Sequence, residues 1–103
     1  MVLEIGTGCG FLTALLCLMA DRVYSVERIH ELSHRARKAL DDFGAKNAAL
    51  LVGDGTIGWK KYAPFDVIVV SAASPSVPQA LVDQLADGGR MLIPVGTREV
   101  QEL

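Results

Sequence analysis

Aromatic side chains are scarce in this chain, with three Phe, two Tyr and one Trp among 103 residues. Cysteine is scarcer still. If Cys9 and Cys17 lie on or beside one helix, eight residues at about 1.5 Å each part them by about 12 Å, too far for a disulfide. Free thiols predict a reducing, cytoplasmic setting. Neither sign of charge dominates, since 10 Lys and Arg stand against 12 Asp and Glu, a net −2. That balance, without a basic run, argues against sequence-independent nucleic-acid binding. The longest apolar run, Ala14 to Ala20, falls far short of the roughly 20 residues of a membrane span. The apolar start is broken by Glu4 and three glycines, which is not a secretory signal pattern.

What is present is an apolar majority of the kind that folds. Half the residues are hydrophobic and the mean hydropathy is +0.32, so a disordered chain is excluded and a single domain is expected over residues 1–103. Strand-like and helix-like patterns alternate. Val2 to Ile5 reads as a strand starting directly after Met1, followed by a glycine turn over Gly6 to Gly10. Phe11 to Ala20 is apolar nearly all round, which predicts a helix packed deep against a sheet. Val23 to Glu27 is a second strand. Ile29, Leu32, Ala36, Leu40 and Phe43 then mark one face of an amphipathic helix stopped by Gly44.

Ala48 to Val52 reads as a third strand and Asp66 to Ser71 as a fourth, whose β-branched run predicts burial on both faces. A short helix is expected near Gln79 to Leu85, stopped by Asp87-Gly88-Gly89, with a fifth strand over Arg90 to Val95. The alternation predicts an α/β fold: a Rossmann-like, doubly wound parallel sheet of about five strands. Ligands of such sheets bind beyond the carboxyl ends of the strands. Gly6 to Gly10, Glu27, Asp54 and Ser71 all fall there.

A glycine turn between strand and helix lets backbone approach a ligand and aims amide N–H groups at it. The glycines at 6, 8 and 10 depart from the dinucleotide fingerprint, which would require glycine where Phe11 stands. Glu27, at the end of the second strand, is placed to accept both hydroxyls of a ribose. Asp54 after the third strand can accept from an adenine amino group, and Glu4 can face an ammonium directly or through water. Three acids around a glycine turn suit a cationic adenosine ligand, S-adenosylmethionine (SAM), better than a diphosphate such as NAD. Each acid also has a plainer reading, Glu27 as a solvated strand end and Asp54 as the first residue of an Asp-Gly turn.

The segment Val2-Leu3-Glu4-Ile5-Gly6-Thr7-Gly8-Cys9-Gly10-Phe11 resembles the first SAM-binding motif of class I methyltransferases. Val26-Glu27-Arg28, Gly53 to Trp59, Pro64 to Ala73, Pro75 to Leu81 and Leu85 to Gly96 extend the likeness to the protein-L-isoaspartate O-methyltransferases. The resemblance implies SAM as methyl donor and the side carboxylate of isoaspartyl residues in damaged proteins as acceptor, a protein-repair reaction. It places Glu4, Gly6, Gly8 and Gly10 at the methionine and ribose end, Glu27 on the ribose, and Asp54 and Gly55 at the adenine. Thr7, Cys9, Arg28 and Ser71 complete the expected cofactor-binding set, and the loop from Ala72 to Pro78 borders the substrate. The family's hydroxyl-bearing catalytic loop would precede Met1, so no catalytic residue is identifiable within the chain. The family's further strands would follow Leu103. The uncovered fifth-strand edge then predicts self-association.

Two other functions stay in view. A SAM-binding module without catalysis and a methyltransferase of RNA or small molecules share the same cofactor residues. His30-Glu31-Leu32-Ser33-His34 spells the zinc-protease signature. On a helical wheel, however, both histidines fall opposite the apolar face, with no cleft expected above them, so no metal is expected. Lys60 and Lys61 beside Trp59 and Tyr62 read as solvated loop residues, not a nucleic-acid patch, while Trp59 and Phe65 are expected at the adenine side or in the core.

Overall fold

The computed structural model describes residues 1–71 and 76–93. Five strands form one parallel sheet: β1 (Val2–Ile5), β2 (Val23–Glu27), β3 (Ala48–Val52), β4 (Phe65–Val70) and β5 (Leu85–Leu92). Their order is β3-β2-β1-β4-β5, which puts the strand that begins at Val2 in the centre. Three helices connect them, α1 (Phe11–Met19), α2 (His30–Phe43) and α3 (Gln79–Asp83). Between β3 and β4 there are only two short 3-10 turns, Gly55–Ile57 and Lys60–Tyr62.

Alternation along the strands divides the side chains between two layers. Val2 and Val23 pack with Leu16 of α1 on one side. On the other, Leu3, Tyr24, Val26, Phe65, Ile68 and Val70 gather with Leu81 of α3. Tyr24 stacks on Tyr62 with ring centroids 4.5 Å apart and meets Trp59 edge-on at 5.5 Å. Phe65 is therefore a core residue, and Trp59 packs half-buried against the core. The α2 helix ends as its sequence predicts, with Gly44 at φ 87° and its amide bonded back to Asp41 and Leu40.

The sheet order makes the site. The chain winds outward from β1 to β2 and β3, then crosses back to lay β4 on the other side of β1. The carboxyl ends of β1 and β4 thus flank the point where the winding reverses, where open α/β sheets hold ligands. Gly6 lies so close to β4's end that a Cβ there would sit 3.4 Å from Ser71 Cβ.

Three expectations about the elements are corrected. The fifth strand starts at Leu85 instead of Arg90, and Asp87-Gly88-Gly89 lies inside it. Those residues form an irregularity: Phe65 pairs with Leu85 while Val67 pairs with Arg90. Gly88 takes φ 77°, and a Cβ on Gly89 would meet the Asp66 and Ala86 carbonyls at 2.9 Å. The glycines permit a bulge and do not act as a helix stop.

Second, α1 is not packed deep: only Thr13 and Leu16 are buried, and Phe11 and Leu18 are 69% exposed. Third, β4 is not buried on both faces, with Val67 and Val69 half-buried and Asp66 exposed. The last residues of the expected fifth strand, up to Val95, lie outside the described residues, as do positions 72–75 of the expected substrate loop.

Candidate functional site

The glycine turn is built from three left-handed glycines, Gly6, Gly8 and Gly10, at φ 98°, 56° and 87°, a region in which side chains with a Cβ are strained. They serve different purposes. A Cβ on Gly10 would stand 3.3 Å from Ala36 Cβ, so this glycine lets α1 start against α2. At Gly8 a Cβ would meet nothing within 4 Å, leaving open space on the ligand side of the turn. The turn is tied down by Gly6 N–H donating to the Val26 carbonyl at 2.8 Å and Gly10 N–H to Thr7 at 3.0 Å.

Glu27 is 7% exposed and holds the turn from the side. Its Oε1 accepts from the Gly8 amide and its Oε2 from the Ile29 amide, each at 2.9 Å. Each oxygen keeps a further lone pair, so the carboxylate can still accept from a diol. The plainer reading of Glu27 as a solvated strand end is set aside by this burial.

Glu4 lies beneath the turn, fully buried. Its Oε1 accepts from the hydroxyls of Thr13 on α1 and, at 2.7 Å, Ser25 on β2. Ser25 Oγ is also 2.5 Å from Thr7 Oγ1. Because Ser25 has one hydroxyl hydrogen and gives it to Glu4, Thr7 must donate to Ser25. The relay therefore runs from the glycine turn through β2 to the central strand.

Glu4 Oε2 is the one buried side-chain oxygen without a partner among the described residues. Burial pushes the Glu4 carboxyl up, with the nearby Glu27 charge adding to it against the lowering bonds from Thr13 and Ser25. Thr13 and Ser25 were missed as site residues by sequence reasoning. Their signal was legible: one hydroxyl inside an otherwise apolar helix, another inside a buried strand.

Asp54 caps the first 3-10 turn, its Oδ1 accepting from the Thr56 amide at 2.9 Å and hydroxyl at 2.7 Å. Those bonds lower its carboxyl from the ordinary range. Gly55 has a packing reason as well, since a Cβ would approach Ile5 Cγ2 to 2.3 Å. Cys9 and Arg28 are exposed at the rim of the turn. Ser71 is exposed beyond β4, its amide donating to the Ile5 carbonyl at 3.0 Å. The strand ends thus gather Glu4, Thr7, Gly8, Glu27 and Ser71 around the turn, with Asp54 beyond β3.

The donor set fits a ligand carrying an ammonium and a ribose. A buried carboxylate oxygen lacks a donor, a second carboxylate is held at the turn, and no side chain fills the space over Gly8.

Comparison with known proteins places the chain in a family. The sequence model for protein-L-isoaspartate(D-aspartate) O-methyltransferase matches residues 1–103. This chain belongs to the protein-L-isoaspartate O-methyltransferase family. Relatives include protein-L-isoaspartate O-methyltransferase 2 of Geotalea uraniireducens, 57% identical over 102 residues, and the Syntrophus aciditrophicus enzyme, 53% identical. In each case the match takes in 99% of this chain and 47% of the relative, so the chain spans about half the length of these curated methyltransferases. A solved protein-L-isoaspartate O-methyltransferase structure superposes with a TM-score of 0.85 at 33% identity, covering 91% of this chain and 31% of that one. The Rossmann-like sheet of the family is thus the fold of this chain.

Two other sequence signals are placed as well. His30 and His34 are exposed, as expected, but they do not project from a bare face. With Ser33, Arg37, Leu50 and Val52 they line a shallow depression of about 200 Å³ beside β3. Among the described residues no three His, Cys, Asp or Glu side chains gather to hold a metal. A larger cleft, about 840 Å³, lies on the opposite layer between the 3-10 turns and α3, lined by Trp59, Lys60 and Gln84 among others. It is remote in chemistry from the acids and glycines of the turn.

Proposed function

We propose that this chain binds SAM at the carboxyl ends of β1, β2 and β3 and serves methyl transfer to the side carboxylate of isoaspartyl residues in proteins. The observation that carries the reading is the bond from Gly8 to Glu27, which joins the glycine turn to the carboxylate expected on the ribose. Glu4 supplies negative charge beneath the methionine end, and Asp54 with Gly55 borders the adenine. When bound, SAM supplies an electrophilic methyl group on a sulfonium.

The acceptor needs little activation. An isoaspartyl carboxylate, with a pKa near the ordinary Asp value of about 3.9, is ionised at neutral pH and requires neither a general base nor a metal to attack carbon. Holding oxygen, methyl carbon and sulfur in line supplies much of the acceleration, since orientation is worth several kcal/mol. The residues of this chain do the holding. The left-handed glycines bring backbone to the ligand, and Glu27 keeps the turn in place.

Incubation with labelled SAM and an isoaspartyl peptide tests the proposal. The expected product is a base-labile methyl ester that is absent from the aspartyl control peptide. SAM binding without ester marks a cofactor-binding module instead, and equal transfer to tRNA marks a different acceptor class. Among the described residues no helix is long and apolar enough to cross a membrane, and free thiols support a cytoplasmic setting. We also infer self-association through apolar side chains left uncovered on α1 and on the edge strand β5, where Leu92 is 62% exposed.

A further inference from the structure

Glu4 poses a problem of charge. It is fully enclosed, two hydroxyls donate to Oε1, and nothing donates to Oε2. A buried carboxylate oxygen without a donor is costly, and a carboxyl group in that position relieves the cost by keeping its proton. The relay passes from Thr7 to Ser25 and from Ser25 to Oε1, so the position left for a proton is Oε2.

We propose that Glu4 is a neutral carboxylic acid in the ligand-free site and ionises when the positive charge of a ligand ammonium docks at the turn above it, so that cofactor binding expels a proton. This inference rests on the SAM reading. The balance is simple: the O–H bond at Oε2 breaks, its proton passes to solvent, and the charge of the carboxylate left behind is balanced by the docked cation. Thr13 and Ser25 act as positioning residues, since their hydroxyls stabilise the ionised form and so set how readily the proton leaves.

The neighbours of Glu4 are consistent with this. From β2 comes Glu27, whose negative charge opposes ionisation of Glu4. From α1 comes Cys17, whose thiol is itself pushed up by burial and then by Glu4. On α2, Arg37, whose charge acts on Cys17, is engaged with Asp41 at 2.9 Å and with the Ala48 carbonyl at 2.9 Å. From β4 this layer receives Val67 and Val69. No cation among the described residues is bonded to Glu4, so the positive partner has to come with the ligand.

Titration calorimetry with S-adenosylhomocysteine, whose amino acid end matches that of SAM, tests the proposal in buffers of different ionisation enthalpy. Proton release is expected as the pH falls from neutral towards the ordinary carboxylate range, with Kd rising by up to about tenfold per pH unit where Glu4 holds its proton. Glu4→Gln should still bind, more weakly, and release no proton. Thr13→Val should move the release window to higher pH, a shift that a purely structural role would not cause.

Binding by the wild type with no proton exchange at any pH overturns the inference and leaves the SAM reading intact. Proton release unchanged in Glu4→Gln also overturns it. A ligand-free readout separates the two readings: carbon-13 titration of the Glu4 carboxyl. An ordinary carboxylate titration there overturns the inference even if no ligand binds, whereas absent binding with any Glu4 titration overturns the SAM reading on which it rests.

Discussion

The Gly8 amide donates to Glu27 Oε1 at 2.9 Å across 19 residues of chain. One bond therefore fixes both the tip of the glycine turn and the orientation of the acid at the end of β2. Its partner bond from Ile29 to Oε2 fixes the entry to α2 as well.

Replacing Glu27 by Gln should undo this arrangement. An amide presents an NH2 group to one of two backbone donors, leaving a partly buried N–H unpaired at a cost of about 1–3 kcal/mol. The expected outcome in urea denaturation is a loss of that size. Calorimetry should show S-adenosylhomocysteine binding weakened by about tenfold or more.

Gly8→Ala and Gly10→Ala should part company. At Gly8 the added methyl group meets nothing within 4 Å, so stability falls only by the left-handed strain of about 1 kcal/mol, while the methyl occupies ligand space and binding suffers more. At Gly10 the methyl is pressed against Ala36 at 3.3 Å, so the strain is joined by separation of α1 from α2 and unfolding shifts further. Denaturation and calorimetry on the same two variants check the contrast.

Glu4 and Asp54 should give stability opposite dependences on pH. Burial holds Glu4 above its unfolded value. Its contribution is therefore whole below the unfolded pKa and is lost as pH rises through the folded one. Glu4→Gln should flatten that decline in the ligand-free protein. Asp54 is held below its unfolded value by the side chain and then the backbone of Thr56, so its contribution is present above the unfolded pKa and lost as pH falls through the folded one. Thr56→Val should return Asp54 towards the ordinary range in an NMR titration.

Leu18 and Met19, 69% and 76% exposed at the end of α1, offer a test of self-association. Leu18→Lys with Met19→Lys adds charge at a helix C-terminus, where cations are favourable. Sedimentation should shift towards the monomer while stability changes by about 0.5 kcal/mol or less per site. An unaltered sedimentation profile would count against association through this helix.

Sequence pattern alone determined the strand and helix order, the bounds of β1, β2 and β3, and the place of the acids at strand ends, because these follow from local periodicity and from glycine. It also carried the family likeness, since the glycine turn and the residues around it are contiguous. Tertiary structure decided what contiguity does not encode. Whether α1 is covered depends on which layers meet it, so its all-round apolar pattern misled. The bulge in β5 arises from pairing with β4, a partner no local pattern names. Glu4 and Glu27 look alike as acids at the ends of short strands, yet one is sealed beneath the turn with an unpartnered oxygen and the other bonds the amide of Gly8 in the turn and that of Ile29 at the entry to α2. Both lie on one face of the sheet, since Glu4 is in register with Ser25, two residues before Glu27; the difference comes from Thr13 and Ser25, two hydroxyls 12 residues apart in sequence that only packing brings to the same carboxylate.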